Sequence, residues 1–186
     1  MDLAVQVAEV DRLRALGFPA RRVRDGGVLS GPGFHLTGLA VSEDFDDADA
    51  ARVAEATDDM DAACQALIDL LARRWGEPET LDLVHFLEKI VLGLPVPPPL
   101  DELSGFVPEV YGWRVGERWI ALGVGQGERH FRLQLVLAIG DRAAYEQAVG
   151  RGGPWRPDGP GGDVHAGGDV HADGEGDGEG DGDGVG

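Results

Sequence analysis

The chain has 186 residues, a net charge of −18 and a single cysteine, Cys64. One cysteine excludes an intramolecular disulfide and a cysteine-based zinc site, and the charge repels phosphates, so nucleic acid and anionic membranes are not expected partners. The opening MDLAVQVAEVD has neither a basic stretch nor a long apolar run, so a soluble cytoplasmic protein is expected.

Composition divides the chain near Gly150. Residues 1–150 alternate apolar stripes with turn signals and carry 25 acids against 14 bases. Residues 151–186 are almost entirely Gly, Asp, Glu, Pro, His and Ala. A domain of about 150 residues buries roughly two-thirds of its unfolded surface, so residues 1–150 are expected to form one domain. The remainder is expected to be a disordered acidic tail, with too little apolar surface to offset ordering its glycines.

In chain order, Val5, Val7, Ala8, Val10, Leu13 and Leu16 share one side of a helical wheel, and Gly17 and Pro19 stop it. A helix over residues 2–16 is predicted. Asp25-Gly26-Gly27 and Gly31-Pro32-Gly33 then separate three short runs of strand character ending at Val41, an antiparallel meander.

Glu43 to Asp49 holds five acids in seven residues and precedes the strongest helical pattern in the chain. Val53, Ala56, Met60, Ala63, Cys64, Leu67, Ile68, Leu71 and Trp75 recur at spacings of three, four and seven, and Gly76 and Pro78 close the element. Negative charge before a helix complements its unpaired N–H groups.

From Thr80 to Leu92 apolar residues wrap most of a further predicted helix, so cover on several sides is expected, a partner surface being one form of it. Pro95, Pro97, Pro98 and Pro99 impose an extended connector. A second meander follows over Gly112–Val115, Arg118–Val124 and His130–Ile139, the last with period-two alternation expected of a strand buried on one face. Ala143 to Val149 adds a helical turn or two. The fold class is therefore α+β, with antiparallel sheet built from two three-stranded meanders packed against helices.

Chemistry-bearing patterns are few. Gly123-Val-Gly125-Gln-Gly127 resembles a phosphate loop only superficially, because a strand rather than a helix follows; a hairpin turn is the favoured reading. Cys64 sits in an apolar stripe and reads as a core residue. In the tail, Gly161–Ala166 repeats as Gly167–Ala172, and Asp177 to Gly182 imitates the start of a calcium loop without its closing glutamate. No metal or cofactor is expected, and no catalytic residues are assigned.

The aromatics Phe106, Tyr111, Trp113 and Trp119 gather at the start of the second meander, where core is favoured over anchoring a partner. The leading expectation is a non-enzymatic domain that binds a basic protein. Glu43, Asp44, Asp46, Asp47, Asp49, Asp58 and Asp59, with Asp61 beyond them, would form its acidic face, and aromatic and aliphatic groups near the Phe86 to Leu103 region, with Phe86 and Trp113 as named anchors, its contact area. Two other classes compete: a small enzyme or ligand-binding domain using His35, His130 and Arg132, and a structural subunit of a larger assembly.

The element order over residues 2–149 resembles that of small secretion chaperones of the type III class, and size and charge are similar to those of small acidic immunity proteins that mask bacterial toxins. The chaperone resemblance implies an acidic binder of an extended client and admits a homodimer. It transfers no functional residue, and the connector at Pro95 to Pro99 departs from the pattern.

Overall fold

In a computed structural model, residues 2–43, 50–126 and 132–150 are described; the tail and its repeat lie outside them. The described chain is an α+β fold with one seven-stranded antiparallel sheet. Helix α1 (Leu3–Ala15) is opened by the Asp2 carboxylate, which accepts the N–H of Ala4 at 2.9 Å. Strands β1 (Val23–Asp25), β2 (Val28–Gly31) and β3 (Phe34–Val41) form the first meander, and α2 (Ala50–Trp75) follows. Gly76 ends α2 in the left-handed region, with φ 89°, and its carbonyl accepts the indole N–H of Trp113 at 2.8 Å.

The helix expected over Thr80–Leu92 is two elements. Glu79–Asp82 forms a strand, β4, and only Val84–Val91 is helical, α3. Pro78 breaks what precedes. Leu81 pairs with Val110 and is buried, and the Asp82 carboxylate accepts the N–H of Val84 at 2.8 Å to open the helix. After the proline connector, a short helical turn, α4 (Leu100–Leu103), sinks Leu100 and Leu103 into the core. Strands β5 (Glu109–Val115), β6 (Arg118–Gln126) and β7 (Leu133–Asp141) form the second meander, and α5 (Arg142–Val149) closes the described chain.

The strand order β1-β2-β3-β7-β6-β5-β4 joins the two meanders into one sheet through β3 and β7. Phe34 stands opposite Gly140 and Val41 opposite Gln134, with a bulge between Gly38 and Ala40. Short strands, β1 and β4, form the two edges.

The sheet is the middle of three layers. Beneath one face, α1 and α2 contribute Val10, Leu13, Met60, Leu67 and Leu71 to a core that includes Trp113, Ile120, Leu122, Leu135 and Leu137. On the other, Phe86, Leu100, Leu103 and Tyr145 pack on Phe34, Leu36, Trp119, Val136 and Ala138. The expectation that the last strand buries one face is therefore corrected: Leu135 to Gly140 is buried throughout, because helices cover both sides of it.

Gly123 and Gly125 are not in a hairpin turn either. They lie within β6, where the Phe106 backbone crosses against Gly125 and a Cβ at Gly123 would stand 2.7 Å from the Val107 side chain and 2.8 Å from the Glu109 carbonyl oxygen. Gln126 completes this crossing by donating its N–H to the Phe106 carbonyl at 3.0 Å.

Candidate functional site

Helix α3 carries one polar stripe, His85, Glu88 and Lys89, and an apolar arc made by its remaining residues that is wider than its buried side. Its inner side is covered. Phe86 is 1% exposed and packs with Leu83, Leu100 and Leu103 on the sheet. Its outer side is not. Val84, Leu87 and Ile90 are each about half-exposed, Val91 is 79% exposed, and Leu92 beyond the last turn is 74% exposed.

The ridge continues past the helix. Gly93 adopts φ 71°, and the next residue, Leu94, donates its N–H back to the Lys89 carbonyl at 2.9 Å, which folds the half-exposed Leu94 side chain against the same end. Of the ten large hydrophobic side chains exposed among the described residues, six thus lie between Val84 and Leu94. Of the other four, Leu16 and Val23 line one cleft and Val5 and Val41 stand apart; isolated exposed apolar residues are ordinary on a protein surface, whereas a concentration of them is not.

The segment that carries the ridge is acidic. Residues 77–102 hold Glu77, Glu79, Asp82, Glu88, Asp101 and Glu102 against one base, Lys89. Glu77, Asp82 and Glu88 are exposed, whereas Glu79 is engaged by Arg114 and Glu102 by Arg22. Lys89 lies over the Phe86 ring, 5.2 Å from its centroid. Asp101 is half-buried, and that burial raises its carboxyl above the ordinary value.

The site residues expected from sequence do not come together. Phe86 and Trp113 are both core: Trp113 is 3% exposed, lies on the opposite face of the sheet from Phe86, and spends its indole N–H on the end of α2. Neither offers a surface to a partner; the exposed apolar side chains are instead the outward neighbours of Phe86. Asp58 and Asp59 are exposed on α2, in the layer away from α3. Glu43 is exposed and faces Arg52 at 3.3 Å, which offsets part of its charge. Asp44, Asp46, Asp47 and Asp49 lie outside the described residues.

The groups expected for a ligand pocket are likewise dispersed. His35 is 2% exposed and lines a cleft of about 370 Å³ between the end of α1 and the β1–β2 hairpin. Its Nδ1 meets the Ser30 hydroxyl at 2.7 Å, and its Nε2 is sealed from solvent with no hydrogen-bond partner. Burial, then the nearby guanidinium groups of Arg118 and Arg12, hold its pKa below the ordinary value against an opposing pull from the Leu16 carbonyl. Arg132 is exposed just before β7, and His130 lies outside the described residues. Cys64 is buried, which pushes its thiol up to about 12 and removes the thiolate that nucleophilic chemistry needs.

Leu87, Ile90, Val91, Leu92 and Leu94 fall within the Phe86 to Leu103 region whose aliphatic groups were expected to offer contact area, and Val84 lies just before it. The signal was the wide apolar arc over residues 81–92; what it lacked was the side from which the cover comes. No family model, curated protein or solved structure matches the chain, and no helix among the described residues is long and apolar enough to cross a membrane.

Proposed function

We propose that the protein is a non-enzymatic protein-binding domain whose docking surface is the outer side of α3 and the turn after it, and whose partner is a basic protein. The observation that carries this reading is the concentration of exposed apolar side chains at Val84, Leu87, Ile90, Val91, Leu92 and Leu94. Full burial of a side chain of this size contributes about 1.5–3 kcal/mol, and those already half-buried contribute correspondingly less, so covering the ridge supplies several kcal/mol against the cost of association.

Charge selects among occupants. A second copy would bring two acidic segments together, each in a chain of net charge −18, whereas a basic partner finds Asp82 at the start of α3 and Glu88 within it, both exposed. The acids of α2, Asp58 and Asp59 among them, face the other way and act on such a partner only through the long-range field that speeds encounter.

A photo-reactive side chain at Val91, compared with one at the exposed Gln65 on α2, in the layer away from α3, tests the reading in the native host. The supporting result is a discrete adduct from position 91 with a basic protein, weakened by salt and absent from position 65. Equal labelling from both positions, or adducts only between copies of this chain, would overturn it. The second of those outcomes, with a discrete oligomer by light scattering, would favour a structural subunit.

A further inference from the structure

Val84, Leu87 and Val91 lie three and four residues apart, the spacing at which apolar residues form a seam between two helices. All three are exposed. Glu88, exposed, follows Leu87 directly and occupies the position flanking such a seam, where charge sets the choice of partner helix.

A strand is the other form an apolar segment could take here, since β4 is a sheet edge. That edge is only four residues long, follows Pro78, and ends where the Asp82 carboxylate is committed to the N–H of Val84. Short edges next to proline and charge are the devices by which sheets resist further strands.

We infer that the occupant of this surface is an amphipathic helix of the partner, laying an apolar seam along Val84, Leu87 and Val91 and presenting Lys or Arg to Glu88. This inference rests on the protein-binding reading above and specifies its geometry. The contact spans about two turns, roughly 12 Å at 1.5 Å per residue, so it forms a short helix-on-helix dock with Leu92 and Leu94 as the stop at one end.

The test uses the full-length protein and three labelled synthetic peptides, followed by fluorescence anisotropy at low salt. The first carries Leu at spacings of three and four with flanking Lys. The second has the same composition in strict alternation, and the third replaces each Lys with Glu. The first is expected to bind, to lose about tenfold in affinity with Val91→Ser, and to lose about threefold with Glu88→Lys. Glu88→Lys should at the same time improve binding of the Glu peptide, a reversal that general unfolding of the variant would not produce.

Tighter binding of the alternating peptide would overturn the helical geometry and leave the protein-binding reading standing. Binding by the first peptide that ignores both substitutions would place it elsewhere and also refute the inference. If no peptide binds, the helix inference fails, and the cross-linking result at Val91 decides the broader reading separately.

Discussion

Tyr145 lies flat on Trp119, with ring centroids 4.4 Å apart and planes 11° from parallel. The stack ties α5 to the middle of the sheet, because Trp119 is a β6 residue buried between β5 and β7. Removing the ring in Tyr145→Ala is expected to cost about 3 kcal/mol, measured by denaturant unfolding.

The phenol adds a pH dependence. Burial first, and the charge of Glu79 second, push Tyr145 up to about 12. An unfolded tyrosine titrates near about 10, so below that value both states hold the proton and the contribution to stability is intact. Between the two values the unfolded state releases its proton while the folded state keeps it, and stability falls as pH rises. Tyr145→Phe should therefore lose less stability than wild type between pH ~8 and ~11; an equal loss would refute the assignment. Cys64, buried and also raised to about 12, contributes the residual slope with the same sign.

Gly123 is required by a crossing of backbones. A methyl group there would stand 2.7 Å from the Val107 side chain and 2.8 Å from the Glu109 carbonyl oxygen. Gly123→Ala is expected to destabilise by about 1–3 kcal/mol. Gly17, where an added Cβ meets nothing within 4 Å, serves as the control and should accept Ala at little or no cost. Similar thermal midpoints for the two variants would show that the crossing yields.

Local periodicity was enough to place α2 and both meanders, since each has its own repeat of apolar residues and its own glycine stops; α1 was placed by its Gly17 and Pro19 stop, whereas its expected stripe is only partly inward, with Val5, Ala8 and Leu16 exposed and Gln6 buried. Residues 80–92 were expected to be one helix because their apolar residues wrap most of a helical wheel. Pro78 and Asp82, rather than hydropathy, mark where strand gives way to helix. The joining of β3 to β7 lay outside any local pattern: it pairs residues about a hundred apart, such as Phe34 with Gly140.

The same limit explains the candidate site. Acidic residues announce themselves in sequence, but whether Asp58 shares a surface with Val91 depends on which face of the sheet each helix covers. Trp113 looked like an anchor because indoles often are, and the demand of Gly76 for a donor could not be seen before the chain was folded.

His35 makes the fold sensitive to mild acid. Its pKa in the folded state lies below the ordinary value, principally through burial. As pH falls through about 6.5, the unfolded chain takes up a proton that the folded one resists, so stability is full above that value and declines below it. His35→Gln should flatten the loss of melting temperature between pH ~7.5 and ~5. A variant that loses as much as wild type over that interval would assign the acid sensitivity to other groups.

Two neighbouring residues on α3 separate packing from docking. Phe86→Ala empties a fully buried position and should cost about 3–5 kcal/mol. Val91→Ser changes a side chain with most of its surface in water, and exposed substitutions of this kind stay within about 0.5 kcal/mol. Chemical denaturation of the isolated protein should therefore rank the two far apart, although both are apolar and lie five residues from one another on one helix. A large loss at Val91 would mean that its side chain is already covered in the free protein, by a second copy or by another part of the chain. Measuring the cost at high and low protein concentration distinguishes those two covers, because only the first depends on concentration. A negligible loss at Val91 leaves its apolar surface without a role in folding, and it is that surplus that the proposed partner would bury.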